Sequence, residues 1–385
     1  MNQYQMKHVV DDLVLIKSLG KGSYGEVFLT QKKGRPEYYA TKKMDRTIFD
    51  LPANKKRLLY EIGILSQLNH PNIVKFICFK KTVNNWYLVT EFCNGGSLLD
   101  NLRKYMNHFQ RPLTEDIVQY LMKQIVSALD YLHFNKIIHR DLKLDNILVN
   151  FPSEQDKMAL NMMNCTIKII DFGFATKLNG PLTYTALGTP TNMDPAILEA
   201  IKTGVPNAGY NEKVDIWSLG TLCYEMVVGT KAFSGTSMDE LFQKVKKGTY
   251  SLPLTLSKEV VEFINNMLQQ DPNQRSTANQ LLYHDFLTKH PSQFQRVDVR
   301  DIQGSIGPGG VINMKSNRNS QPQINTNNNL YELWSIFNDP GIYQIPQMSN
   351  QVQPIMQLPQ QQYTYITQPQ QQYYISQAPM GGYYY

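Results

Sequence analysis

The sequence predicts an α+β chain. A small strand-rich part with one main helix comes first, a larger helical part follows, and a tail without a fold of its own ends it. Three observations predict this. Short runs rich in Val, Ile, Leu and Tyr crowd the chain up to about residue 94. Beyond them, long stretches carry apolar residues at helical spacing. From about residue 288 the character changes, and residues 340–385 hold no charge and are dominated by Gln, Tyr and Pro. Such a segment buries too little apolar area to offset its ordering entropy.

The bulk numbers narrow the class. A length of 385 residues suits two or three domains, or one two-lobed domain with extensions. Hydrophobic residues at 42% suffice for a core, and a net charge of +6 is too modest to mark a nucleic-acid binder while tolerating a polyanionic ligand. The cysteines, Cys78, Cys93, Cys165 and Cys223, form no CxxC pair, so a zinc site is not expected and a reducing compartment is. The first residues show no apolar signal segment, and Asn2 stands where a myristoylation site needs glycine. No apolar run approaches the length of about 18 residues that spans a bilayer. These features lead us to expect a soluble protein of the cytoplasm or nucleus.

Residues 13–19 alternate as a strand and lead into Gly20-Lys21-Gly22-Ser23-Tyr24-Gly25, after which Val27-Phe28-Leu29 reads as a second strand. A glycine loop between two strands can lay bare N–H groups over phosphates, where side chains would block the approach. A dinucleotide site would place a helix directly after the turn, so the flanking strands argue against one. Tyr38–Lys42 reads as a third strand. Lys42 and Lys43 point to opposite faces. Residues 53–68 read as a helix, with Leu58, Leu59, Ile62, Leu65 and Leu68 on one stripe and Glu61 beside it. Strands follow around Phe76–Lys81 and Trp86–Thr90. Glu91-Phe92-Cys93-Asn94-Gly95-Gly96 then turns to loop chemistry.

A long helix is expected over about 115–134, with Ile117, Tyr120, Leu121, Ile125, Ala128, Leu129 and Leu132 on its apolar face. It leads through Ile137-Ile138 to His139-Arg140-Asp141-Leu142-Lys143-Leu144-Asp145-Asn146, where an acid, a cation and a carboxamide sit within six residues. The stretch 150–166 is longer than a tight hairpin needs. Ile167–Ile170 reads as a strand that delivers Asp171-Phe172-Gly173, 30 residues past Asp141.

In this order, the glycine loop, the Asp141 loop and Asp171-Phe172-Gly173 resemble the protein kinase signature set. The resemblance covers about residues 13–287 and implies a two-lobed fold. The N-lobe would be 1–94 (from about 13), the C-lobe 95–287 and the tail 288–385. It implies ATP and Mg²⁺, with Leu19, Gly20, Lys21, Gly22, Ser23, Gly25, Val27, Ala40, Lys42, Glu61, Glu91, Cys93 and Leu148 around the nucleotide. Lys42 is favoured over Lys43 because Ala40 then stands two residues before it. Glu61 would pair with that lysine, Thr90 would be the gatekeeper, and main-chain groups near Glu91 and Cys93 would meet the adenine. Asp141 would be the base that accepts the hydroxyl proton, Lys143 would steady the transferring phosphate, and Asn146 and Asp171 would hold the metal through oxygen. A lysine two residues after Asp141 is the serine/threonine pattern. The implied activity is transfer of the ATP γ-phosphoryl group to Ser/Thr hydroxyls of protein substrates. The alternative is a pseudokinase scaffold that binds nucleotide or partners without turnover. The extra residues before Asp171 and the Phe174-Ala175 pair also resemble autophagy-initiating kinases. Leu65, Phe76, His139 and Phe172 would stack between the lobes, or are plain core. Asp215-Ile216-Trp217 would supply a buried aspartate beneath the catalytic loop.

Residues 171–196 would be the activation segment. Thr185, three residues before Gly188-Thr189-Pro190, stands where an activating phosphothreonine would pair with Arg140; Thr189 is expected beside Asp141. The chain departs from the family at Asp194-Pro195-Ala196, where Ala-Pro-Glu is expected. The missing glutamate would leave Arg275 unpaired, so we expect Arg275 to be more solvated or to pair with another acid such as Glu199. In the tail, Leu330–Phe337 is a short apolar-aromatic patch that could dock on the kinase lobe or on a partner, or be inert.

Overall fold

A computed structural model describes residues 9–22, 25–178, 188–203, 209–297, 304–307 and 311–315. The chain divides into the units Met1–Ile324 and Asn325–Tyr385, and every described residue lies in the first. The expectations for residues 340–385 and for the 330–337 patch lie outside the described residues.

The first part is a six-stranded antiparallel sheet. Its strands are β1 (Val9–Val10), β2 (Leu13–Gly22), β3 (Gly25–Lys32), β4 (Tyr38–Asp45), β5 (Phe76–Lys81) and β6 (Asn85–Glu91), in the order β1-β2-β3-β4-β6-β5. The register sets Gly20 opposite Val27, Val27 opposite Lys42, and Ala40 opposite Thr90. Two polar residues buried on neighbouring strands satisfy each other, Thr30 and Thr41, with hydroxyls 2.7 Å apart. Between β4 and β5 lie α1 (Arg46–Phe49), capped by the Asp45 carboxylate, and α2 (Pro52–Leu65), which starts on Pro52, where a missing N–H costs nothing. Leu58 and Leu65 of α2 are buried, but Leu59 is exposed, so the apolar stripe is narrower than the spacing suggests.

The second part is helical. The chain crosses into α3 (Leu98–Phe109), capped by Ser97, and α4 (Glu115–Phe134). The sequence expectation ends at the Gly95-Gly96 turn and does not include α3. Along α4, Leu121, Ile125, Ala128, Leu129 and Leu132 are fully buried, and so are Met122 and Val126, so the helix is covered on more than one face. Short strands β7 (Ile137–Ile138), β8 (Ile147–Asn150), β9 (Thr166–Ile169) and β10 (Thr176–Lys177) frame the loops of interest, β7 pairing with β10 and β8 with β9. Between β8 and β9, residues 150–166 hold α5 (Glu154–Met158) and a 3₁₀ turn whose Met162 is buried, and Tyr120 on α4 donates to the Cys165 carbonyl at 2.9 Å. Then come α6 (Pro195–Thr203) and α7 (Lys213–Val228), the latter buried over nearly its whole length. The remainder is α8 (Met238–Lys247), β11 (Thr249–Pro253), α9 (Lys258–Met267), α10 (Ala278–Leu282) and α11 (Asp285–Thr288). One apolar core runs from Met44 and Leu58 under the sheet into these helices, and a small second cluster of Val10, Leu15 and Tyr87 covers other sheet residues. Among the described residues no helix is long and apolar enough to cross a membrane. All four cysteines are free thiols.

Packing continues past residue 288. Lys258 N–H donates to Gln295 O and Gln295 N–H to the Glu259 carboxylate, at 2.8 and 2.9 Å, so the chain stays attached past α11. Further on, β12 (Gly304–Gly307) and β13 (Val311–Lys315) form a hairpin that adds to β11 in the order β11-β13-β12. Ile312 and Met314 are buried in the main core, opposite Leu252 and Tyr250. The sequence carries a signal for it: two short runs separated by Pro308-Gly309-Gly310, with Ile312 and Met314 at strand alternation. The signal is short and merges with the low-complexity sequence that follows.

Truncating a buried aliphatic chain costs its transfer free energy and leaves a cavity. Ile312→Ala should therefore destabilise the protein by about 2–4 kcal/mol in denaturant unfolding. A loss below about 0.5 kcal/mol, typical of surface positions, would mean that the hairpin is not part of the core.

Candidate active site

The loop from His139 to Asn146 has no ladder to hold its backbone, and Arg140 sits at φ 68°, a conformation costly for a side-chain-bearing residue. Its support comes from Asp215 on α7, which is fully buried. One carboxylate oxygen accepts the N–H of Arg140 at 2.8 Å; the other accepts the N–H of His139 at 2.8 Å and faces the His133 ring nitrogen at 3.0 Å. Burial alone would raise the Asp215 pKa. The His133 and backbone donors outweigh it and hold the group below the usual carboxylate range. The His139 ring points the other way: Nδ1 accepts the Asp141 N–H, so Nε2 carries the proton and donates to Ile170 O at 3.0 Å.

Asp141, 4% exposed, is the centre of the loop. Its Oδ1 accepts the Thr189 hydroxyl at 2.6 Å, and its Oδ2 accepts the Lys143 ammonium and the Asn146 amide, each at 2.9 Å. Burial pushes its pKa up, but Thr189 and Lys143 win, and the carboxyl titrates below its ordinary value. Lys143 also donates to Thr189 Oγ1 at 2.9 Å. Both amide hydrogens of Asn146 go to Asp141, one to the carboxylate and one to the main-chain carbonyl. That fixes the amide orientation and leaves its oxygen as the atom available to a cation.

Ile170 joins this loop to Asp171: its N–H donates to Asn146 O at 2.9 Å and its carbonyl accepts from His139. Asp171 is left-handed, at φ 63°, and its carboxylate accepts the Gly173 N–H at 3.2 Å. A Cβ on Gly173 would stand 3.1 Å from Asp171 Oδ1 and 3.3 Å from Glu61 Oε2, so the Glu61 carboxylate lies against this turn. Glu61 is buried, which pushes its pKa up; the charge of Lys42 opposes this and Asp171 adds to it. Arg57, on the same helix, also opposes the upward shift. Phe172 is buried and meets the His139 ring edge-on at 5.2 Å; Leu65 is buried and Phe76 packs on the same core.

Leu19 is exposed, and Val27, Ala40 and Leu148 are half-buried. Gly20 and Gly22 have open space where a Cβ would be, and Lys21 is exposed. Gly25, at φ 131°, could not carry a side chain, since a Cβ would fall 2.2 Å from Lys43 O. Ser23 lies outside the described residues, as does Thr185. The connecting segment is tied to β8: Asn94 bonds Phe151 through both its amide nitrogen and oxygen, and Gly95 N–H donates to Val149 O at 2.8 Å. Glu91 uses its carboxylate on Lys168 at 2.8 Å and on the Lys75 N–H. Cys93 is buried, which pushes its thiol up to about 12 and keeps it protonated. Among the described residues no group of three or more His, Cys, Asp or Glu could hold a metal. The Asn146 oxygen and the Asp171 carboxylate are hard oxygen donors that suit Mg²⁺, which takes its remaining ligands from water and phosphate.

At the far end of the segment, Arg275 is buried and fully engaged, so it is not more solvated; another acid does replace the expected glutamate, and it is Asp194 rather than Glu199. Its Nη1 meets Asp194 Oδ2 at 2.5 Å and Lys213 O at 2.9 Å, its Nε donates to Gln269 O at 2.7 Å, and Trp217 lies beneath it at 5.0 Å. Glu199 pairs on the surface with Lys246 instead. The acid has moved from the third place of the motif to the first. Asp194 Oδ1 accepts the Ala196 and Ile197 N–H groups at the start of α6 while Oδ2 takes the arginine. Sequence reasoning finds Asp194 and misses its role, because the family spacing points to position 196. It also misses Arg57 and Tyr60 on α2, which bond the Gly173 carbonyl and the Lys177 N–H, and Tyr210, which accepts from Arg140.

The family model described as protein kinase domain matches residues 13–287. Among curated proteins, the chain is 30% identical over 320 residues to serine/threonine-protein kinase PLK4 of Drosophila simulans, covering 81% of this chain and 39% of that protein. It is 33% identical over 273 residues to serine/threonine-protein kinase PLK1 of Xenopus laevis (70% and 42%). It is 30% identical over 321 residues to the probable serine/threonine-protein kinase fhkC of Dictyostelium discoideum (82% and 50%). The chain thus spans half or less of these relatives' lengths.

The Asp194–Arg275 pair makes a sharp expectation. Asp194→Ala leaves a buried guanidinium without its partner and should cost about 3–5 kcal/mol of stability. Glu199→Ala breaks only a surface pair and should stay within about 0.5 kcal/mol of the parent. Thermal or denaturant unfolding of the two variants checks this, and the reverse ranking would restore Glu199 as the partner.

Proposed function

The chain belongs to the protein kinase domain family, and from that premise we propose that it is a serine/threonine protein kinase that moves the γ-phosphoryl group of ATP to Ser and Thr hydroxyls of protein substrates. The observation that carries this reading is the cluster of Asp141, Lys143, Asn146 and Thr189, with Asp171 one residue from its Ile170 link. Asp141 is charged and accepts a hydroxyl already, that of Thr189; a substrate alcohol in the same role would pass it a proton. The new O–P bond forms as the bond to ADP breaks, and transfer of this kind is mostly positioning and charge stabilisation. Lys143 would steady the moving phosphoryl group. Lys42, opposed by Glu61, would hold the inner phosphates under the main chain of Gly20, Gly22 and Gly25. Leu19, Val27, Ala40 and Leu148 would line the base, whose edge would meet main chain near Glu91 and Cys93. Asn146 and Asp171 would hold Mg²⁺, which when bound neutralises phosphate charge. The serine/threonine preference is supported by Lys143 and by the names of the relatives.

The scaffold alternative rested on Ala196 in place of an acid. With Arg275 paired to Asp194, that support is gone. Thr185 is proposed as an activating phosphorylation site read by Arg140; Thr185→Ala with full activity would remove that part. A cytoplasmic or nuclear setting, and partners for residues 288–385, are proposed from composition and are separable from the chemistry.

Transfer of ³²P from labelled ATP to a generic basic protein tests the function directly. The parent should label Ser and Thr, and Asp141→Asn should lower the rate by about 10²–10⁴-fold, the usual share of a general base. Nucleotide binding without labelling by the parent would establish the scaffold instead.

A further inference from the structure

Two arginines close on the turn that carries Asp171. From the C-lobe side, Arg140 Nε donates to the Phe174 carbonyl at 2.5 Å. From the N-lobe side, Arg57 Nε donates to the Gly173 carbonyl at 2.8 Å, and its guanidinium lies 4.3 Å from the centre of the Phe174 ring. Arg57 stands four residues before Glu61, so both project from one face of α2. The main chain of Gly173 is therefore held on both sides of its Cα, its N–H by Asp171 and its carbonyl by Arg57. Tyr60, on the same helix, accepts the Lys177 N–H at 2.9 Å. Left-handed backbone at Asp171 persists only where its surroundings over-determine it, and α2 supplies part of that constraint.

We propose that Arg57 is a positioning residue for Asp171: it pins the 171–174 turn to α2, so that Glu61 and the Asp171 carboxylate reach their working places together. The Glu61 and Asp171 carboxylates both lie against Gly173, 3.3 and 3.1 Å from where its Cβ would be, which is why the two placements belong to one event. The role assigned to Asp171 rests on the kinase reading above; the clamp itself does not.

The test uses the full chain with Arg57→Met, which keeps length and loses the carbonyl bond and the charge over the ring, and Arg57→Lys, which keeps a cation able to reach the carbonyl and the ring. Lys56→Met, an exposed neighbour on α2, is the control. Hydrogen exchange in nucleotide-free protein should speed up about tenfold over residues 171–175 in Arg57→Met, the loss of one charge-assisted bond. The Mg²⁺ concentration for half-maximal transfer should rise about tenfold, with the melting temperature within a few degrees of the parent. Arg57→Lys should restore most of both, and the control should change neither. Unchanged exchange over 171–175 overturns the clamp. Faster exchange with an unchanged Mg²⁺ requirement overturns the link to Asp171. A parent protein that transfers no phosphate is a failure of the kinase reading and is visible before any variant is made.

Discussion

A carboxylate with no access to water organises this site. Asp215 is surrounded by protein, and its charge is tolerable only because three donors converge on it. Two are main-chain N–H groups of His139 and Arg140, which lie in a loop and have no strand or helix partner. The arrangement is reciprocal: the loop gives the acid its solvation, and the acid gives the loop its shape. Unpaired, either side would leave buried polar groups at a cost of about 1–3 kcal/mol each, more for the charge. Everything chemical hangs from that loop. Asp141, Lys143 and Asn146 take their places from its backbone, and Ile170 carries the same geometry to Asp171.

The second organising feature is α2. It buries Leu58 and Leu65 against the core and sends Glu61 inward, while Arg57 and Tyr60 engage the turn at Gly173 and the strand at Lys177. A helix seated by apolar packing on one side and by a few polar bonds on the other can shift without unfolding the sheet, because the polar bonds are exposed and individually small. Asp171, in left-handed backbone, lies two residues before the Gly173 carbonyl that Arg57 holds.

Much of this was legible in the sequence, because the chemistry is concentrated in short stretches with fixed internal spacing. Asp141, Lys143 and Asn146 share one loop, and Asp171 follows a strand that could be read from Ile167–Ile170. The positions of β2 to β6 and of the long α4 followed from alternation and helical periodicity, whereas β1 and the order of strands in the sheet did not. What was not legible depends on contacts distant in sequence. Asp194 and Arg275 are 81 residues apart, and the familiar spacing pointed to position 196, where alanine stands. Leu59 looked like part of an apolar stripe and faces out. The β12–β13 hairpin hides between the last helix and a tail of low complexity, and only its pairing with β11 reveals it. Arg57 reads as one of several cations on an amphipathic helix until the structure brings Gly173 and Phe174 to it.

If the chain transfers phosphate as proposed, the buried acid on α7 governs that transfer through the backbone it holds. Asp215→Asn tests it most directly, since the amide keeps the volume but offers one acceptor where two N–H groups need partners. Steady-state kinetics of the purified variant, with circular dichroism to establish that it is folded, should give kcat reduced by about 10²-fold, in proportion to roughly 3 kcal/mol lost at the transition state, and a KM for ATP within about threefold of the parent. A folded Asp215→Asn protein with parental kcat would show that the loop keeps its working shape without the buried carboxylate.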